Sequence, residues 1–402
     1  MRFSIDIEYP LEEMEASRRR LEAWTRFAYV DRVPIMYCLE PRYFTPLFGL
    51  DYQEFFRDVE TQFELQLRFA KHRIEKIPED FCQSTDIVVY PYFDNVITAS
   101  AFGAEIHYPD NETLQAVPYM KSPEDIDRLA VPEPDARLWG TIRRWWTRMR
   151  ELGEETELTF NGKSRGRVVV APLTDARLGP HMVAVDLAGE NFYLWMAERP
   201  EKAHQLLGKI TAGMVQAEDT FRRIDPRPRG GFGLAEDSIQ ICSPAMYEEF
   251  CVPYDDMLYQ RYGAGFANGR GMHMCGDSRH LLDSLVHKGR ISSFNVFGYP
   301  VPPKTAAAVM GGKVRLWGNI NPMLLLNGTA GDVAEAARTA LEAMAGRGGY
   351  MLGDGANVCP GTPLESFQAL MKAAEDFGLP DREDSRLPES TAPRPSWPPK
   401  RP

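Results

Sequence analysis

Apolar positions along the chain change their spacing twice. From Leu11 to about Val30 a charged stretch carries them at helical intervals, and Val33-Pro-Ile-Met-Tyr-Cys38 is then a short apolar run. Residues 52–76 return to helical spacing, with Phe55, Phe56, Val59, Phe63, Leu65, Leu67 and Phe69 among charges. Ile87-Val-Val-Tyr90 reads as a buried strand. A hairpin is expected next, from Ala104–Tyr108 through a Pro-Asp-Asn-Glu turn to Leu114–Tyr119. Residues 121–135 read as linker and cap, and 136–152 as a helix carrying Trp145 and Trp146.

From residue 166 the alternation is regular. Strands are expected at 167–171, 231–235, 269–274, 292–296, 314–318 and 349–353. Helices are expected at 200–223, 243–261, 278–287, 302–310, 331–346 and 364–377. Strand–helix alternation implies parallel pairing, because parallel neighbours need crossover connections. With 33–38 and 87–90 the strands number eight, which predicts a single (β/α)8 TIM barrel over residues 1–380. It would carry an N-terminal helical extension and a small β-hairpin insertion. An open doubly wound sheet is the rival, but no G-x-G-x-x-G follows a strand. Residues 381–402 are rich in Pro and lack periodicity, so a flexible tail is expected.

Composition narrows the classes. The chain has 402 residues, 44% of them hydrophobic, enough for a large core. With 46 Lys and Arg against 57 Asp and Glu the net charge is −11, which argues against a nucleic-acid or anionic-membrane surface. No apolar run has the length of a membrane helix, and acids stand near the start where a secretion signal would have its apolar core. Six Cys are too few for a disulfide scaffold. A soluble, cytoplasmic protein is expected.

In a parallel barrel the chemistry collects at the carboxyl ends of the strands. There the chain places Tyr92-Phe-Asp94-Asn95, Glu236-Asp237, His273-Met-Cys275-Gly276-Asp277, Asn295, Gly318-Asn319 and Asp354-Gly-Ala-Asn357-Val-Cys359. His273 and Cys275 are two residues apart on a strand, so their side chains leave the same face. A neutral imidazole and a thiolate are good zinc ligands, and Cys359 is a candidate third. Zinc would hold an incoming substrate thiol as a thiolate nucleophile. The alternative is a packed thiol beside a hydrogen-bonded His. Asp94, in an apolar setting, either binds cationic or N–H groups or caps the element starting at Asn95. Glu236 and Asp237 are adjacent and face opposite ways, so only one can point inward. Asp354, before Gly355, is a site acid or a turn former. Cys38, Cys82, Cys242 and Cys251 read as core filler, the Trp pair as packing, and Arg18–Arg20 as a solvated face.

The landmarks in order are Asp31-Arg-Val-Pro34, Tyr92-Phe-Asp-Asn95, Ala101-Phe-Gly-Ala-Glu105 and Glu236-Asp237. Ser243-Pro, Tyr247-Glu-Glu-Phe250, His273-Met-Cys-Gly276, Gly318-Asn-Ile-Asn-Pro322 and Pro360-Gly-Thr-Pro-Leu-Glu365 follow. Over roughly residues 15 to 378 this series resembles the uroporphyrinogen decarboxylase superfamily of (β/α)8 enzymes. That superfamily includes the heme-pathway decarboxylase and cobalamin-linked methyltransferases acting on coenzyme M. The decarboxylase's Arg-rich R-Q-A-G-R segment is replaced by Tyr37-Cys-Leu-Glu-Pro-Arg42, which offers few cations to a polycarboxylate. Its late G-H-G is Gly353-Asp-Gly355, and its active-site Tyr is replaced near Asp186. The methyltransferase H-x-C is His273-Met-Cys275, while the family's second Cys falls on Ala356, three residues before Cys359. Glu236 or Asp237 would then be a substitute oxygen ligand.

The resemblance therefore implies a methyltransferase or demethylase component that moves a methyl group between a small substrate and a corrinoid. No D-x-H-x-x-G corrinoid-binding pattern is present, so a partner protein would carry the corrinoid. The expected roles are catalysis for Asp94 and Glu236, substrate binding for Asp237, Asn295, Asn319 and Asp354, and zinc ligation for His273, Cys275 and Cys359. The alternatives are a cofactor-free decarboxylase of a tetrapyrrole or other carboxylated substrate, and a non-catalytic ligand-binding barrel. A homodimer is expected by the same resemblance.

Overall fold

The computed structural model describes residues 3–175 and 178–378. Its strands are β1 (Phe3–Ile7), β2 (Asp86–Val89), β3 (Glu105–His107), β4 (Gln115–Val117), β5 (Thr156–Phe160) and β6 (Ser164–Arg165). They continue with β7 (Arg167–Val170), β8 (Gly233–Ala235), β9 (Gly271–His273), β10 (Ser293–Asn295), β11 (Arg315–Trp317) and β12 (Tyr350–Met351). The architecture is α/β. Five parallel strands form one sheet in the order β12-β11-β10-β9-β8, each neighbour pair joined through helical segments. A single bridge extends it on each side, Ile35 beside Leu352 and Leu178 beside Ala235. β2 pairs in parallel with β7 as a separate ribbon.

Register decides where the site lies. His273 is level with Ala235 and with Asn295, Asn295 with Trp317, and Trp317 with Met351. Five carboxyl ends therefore stop in one row, and the segments that leave them open onto a common edge. The sheet interior is apolar, with Met272, Phe294 and Leu316 buried, as strands covered on both faces require. The antiparallel hairpin β3–β4 lies within the expected segments, and no described helix is long and apolar enough to cross a membrane.

Several local expectations changed. The helix expected over 243–261 is two helices, Pro244–Phe250 and Val252–Leu258, divided at Cys251. Pro253 has no N–H to continue the ladder of the first helix, and its fixed φ suits the first turn of the second. The stretch 52–76 likewise splits into a short 3-10 turn, Tyr52–Phe56, and the helix Val59–Lys76, whose first turn is capped by Asp58. The first helix ends at Thr25, before Phe27 at φ 58°. β1, which pairs in parallel with β5, was not expected, nor were the helices Pro180–Ala188 and Asn191–Glu198. The expected tail, 381–402, lies outside the described residues.

Candidate functional site

The edge formed by the strand ends brings three of the singled-out residues together. Asp237, His273 and Cys275 each offer a ligand atom, and these atoms all lie within 4.8 Å of one another. Asp237 begins the 3-10 turn that follows β8, His273 ends β9, and Cys275 follows it by two residues on the same face. His273 Nδ1 lies 3.0 Å from the Asn295 carbonyl, which can only accept, so Nδ1 carries the proton. Nε2, the other ring nitrogen, lies 3.7 Å from Asp237 Oδ2. Asp237 Oδ1 accepts from the Cys275 N–H at 2.7 Å. Burial, and then the charge of Asp237 and its hydrogen bond, push the Cys275 thiol up to about 12.

That arrangement tests the fit of a metal. An imidazole lone pair, a carboxylate and a sulfur converge, and the second imidazole nitrogen is held by a backbone carbonyl, as is usual behind a metal-bound His. A divalent cation would offset the burial and the Asp237 charge that together hold the thiol up. Three protein ligands of N, O and S type leave one tetrahedral position for another group, the pattern of a catalytic zinc. The donor set fits.

Glu236, one residue earlier, faces elsewhere. Its side chain is fully buried, and its oxygens accept from the His181 and Met182 N–H groups at 3.2 and 2.8 Å, in the first turn of the helix Pro180–Ala188. Burial, reinforced by Asp255, pushes this carboxyl well above the usual range. Glu236 thus anchors a helix while Asp237 joins the cluster, which is the opposite facing expected of neighbours.

The other predicted residues lie outside that cluster. Cys359 is outside the three-residue group, and its sulfur lies 3.9 Å from Met323 Sδ. Asp94, at φ 44°, accepts from the Tyr52 hydroxyl (2.7 Å) and the Leu114 N–H (2.8 Å), which ties the 52–56 turn to the β3–β4 hairpin. Burial raises its carboxyl against these bonds. Asn319 Nδ2 donates to the Gly298 and Val301 carbonyls, bracketing the loop after β10. Asp354 is fully buried, accepts from the Cys38 N–H at 2.8 Å, and is pushed up to about 7 by that burial.

Three groups were not anticipated. Tyr52 is a direct partner of Asp94, but its place in an aromatic-rich run made it look like core. Glu40, together with Asn357 of the strand-end series already noted, flanks the Cys38 sulfur. Cys242, read as filler, lies 3.6 Å from His181 Nε2, and hydrogen bonds from Cys251 and His181 hold its thiol below the ordinary range. A Cys within reach of a distant His gives no signal in sequence.

A model of the uroporphyrinogen decarboxylase (URO-D) family matches residues 19–377. The chain is 25% identical to a methylated-thiol–coenzyme M methyltransferase of Methanosarcina mazei, over 73% of this chain and 74% of that one. It is 23% identical to a uroporphyrinogen decarboxylase of Pelodictyon phaeoclathratiforme, over 71% of this chain and 78% of that one. A methylcobamide:CoM methyltransferase, MtaA, of Methanosarcina barkeri is 26% identical over 51% of this chain and 58% of its own length. Among solved structures, a methyltransferase from Methanosarcina mazei superposes with a TM-score of 0.65 at 20% identity, covering 90% of this chain and 99% of that one. The fold is thus shared with that enzyme.

Proposed function

The chain belongs to the uroporphyrinogen decarboxylase family, and from that premise we propose that it is a methyltransferase component working between a small substrate and a corrinoid carried by a partner protein. The observation that carries the reading is the convergence of Asp237, His273 and Cys275 on one point. Cofactor-free decarboxylation gives such a set no task. The methyltransferases of methylated thiols and of methylcobamide among the relatives support the same branch. The eight strand positions close a (β/α)8 barrel on this reading, with its mouth at the row of carboxyl ends.

Zinc would be held by His273, Cys275 and Asp237, and when bound it supplies a Lewis acid that keeps a substrate thiol ionised at neutral pH. The chain's own residues set the stage. The Asn295 carbonyl holds Nδ1 of His273, so that Nε2 is the ring nitrogen turned toward the cluster. The Cys275 N–H orients Asp237. Asp94, fixed by Tyr52 and Leu114, shapes the wall beside the hairpin, and Asn319 holds the loop after β10. Glu236 supports the site from below through the helix at 180–188.

The decisive assay offers methylcobamide with a panel of small thiols, and uroporphyrinogen in parallel. Loss of the methyl–cobalt absorbance with a thiol, and no coproporphyrinogen, is the expected result. Coproporphyrinogen formation without methyl transfer overturns the reading in favour of a decarboxylase.

A further inference from the structure

Contacts between the segments that leave β8, β9, β10 and β11 run directly behind the candidate metal ligands. β10 ends at Asn295, whose carbonyl holds His273 Nδ1 at 3.0 Å. The next residue, Val296, is buried and has φ 50°, a left-handed conformation that a β-branched residue rarely adopts. Two residues on, the Gly298 N–H donates to the Met274 carbonyl at 3.1 Å. Backbones meet there, for a Cβ on Gly298 would collide with the carbonyl oxygens of Gly276 and Cys275. The segment 295–298 therefore lies against both His273 and Cys275, through one imidazole bond and one close approach that glycine permits.

One side chain locks this segment. Asn319, two residues past β11 and 5% exposed, gives its Nδ2 to the Gly298 carbonyl at 3.1 Å and the Val301 carbonyl at 2.7 Å. Facing two acceptors, the amide must present its nitrogen, and both of its hydrogens are then in use. No donor of this side chain is left for a substrate. A line of contacts results, from Asn319 to Gly298 and from Gly298 to Met274 and Cys275. The Cys275 N–H completes it by donating to Asp237 Oδ1 at 2.7 Å.

We propose that Asn319 is a positioning residue for the metal ligands, acting through Gly298, and not a substrate-binding one. Held by Asn319, the loop after β10 keeps the Cys275 backbone in place and the Asn295 carbonyl on His273. Asp237 is aimed by the same route, because the N–H that orients its carboxylate belongs to Cys275. All three donors are thus set before a cation arrives, and groups behind the ligands govern affinity for that reason. The zinc part of this inference rests on the methyl-transfer reading; the coupling of the loops does not.

Two measurements on the full chain test it: amide hydrogen exchange of the metal-free protein, and zinc affinity by competition with a chelator. In the native metal-free chain the Gly298 and Cys275 N–H groups should exchange through one shared opening, with equal protection. Asn319→Asp keeps the shape of the side chain but sets acceptors against two carbonyls. It should speed exchange at Cys275 roughly tenfold, the worth of one hydrogen bond, and weaken zinc by about 10–100-fold. Gly298→Ala forces the loop off Cys275 while altering no ligand side chain, and should act alike should Asn319→Asp fail to fold. The proposal is overturned if Gly298 and Cys275 exchange independently in the native chain, or if a folded variant keeps native zinc affinity and Cys275 protection. Unchanged zinc affinity with a raised KM for the small substrate would also overturn it, returning Asn319 to substrate binding. A native chain that binds no zinc removes the methyl-transfer reading, and exchange at Cys275 then decides this inference alone.

Discussion

At the scale of single residues, the protein places carboxyls where water cannot reach them. Asp186 is half-buried, but its Oδ2 is buried without a partner among the described residues, and burial pushes its carboxyl from the ordinary 3.8 to about 7. Between those values the unfolded chain has released the proton while the native chain keeps it. Stability therefore falls as pH rises through this window, and the penalty is complete above about pH 7. Asp186→Asn should stabilise the fold near pH 8 by up to roughly 4 kcal/mol and change it little near pH 4, as read by urea melts at both pH values. Equal effects at the two would contradict the assignment. Residues of this kind were only partly legible. His273 and Cys275 could be paired because a strand's period of two is a local rule, and the adjacency of Glu236 and Asp237 required one to turn away. Which of the two turned, and that Tyr52 would meet Asp94, depend on contacts made across tens of residues, which no local pattern encodes.

The elements were legible where burial imposed a period. β7 through β12 lie inside the expected segments because parallel strands covered on both faces must be short apolar runs. β1 was not, since Phe3-Ser-Ile-Asp-Ile7 is brief and half polar, and only pairing with β5 makes it a strand. Between elements, one buried acid acts as the staple. Asp80 accepts from Arg32 (2.7 Å), Arg20 (3.0 Å), the Ser17 hydroxyl (2.9 Å) and the Ile35 N–H (2.8 Å). It thereby joins the helix Leu11–Thr25 to the segment that bridges β12. Asp80→Ala leaves two buried guanidinium groups without this partner and should cost about 3–5 kcal/mol of unfolding free energy by denaturant titration. A loss below about 1 kcal/mol would show that water replaces the carboxylate freely.

For the whole molecule, the parallel register carries the account: it stops five strands in one row, so residues more than 30 positions apart, such as Asp237 and His273, become neighbours. The alternation of elements foretold that row, and the landmark series foretold the family. The candidate ligand set was partly visible: an acid after β8 was named as a substitute oxygen ligand and Asp237, in the turn that follows β8, lies in the cluster, while the sulfur of Cys359 stands beside Met323. Metal content measured on the purified chain tests this most directly, with Asp237→Ala and Cys359→Ser alongside. The account predicts about one zinc per chain in the native protein, the same in Cys359→Ser, and loss in Asp237→Ala. A native protein free of metal, or zinc lost with Cys359 and kept without Asp237, would contradict it.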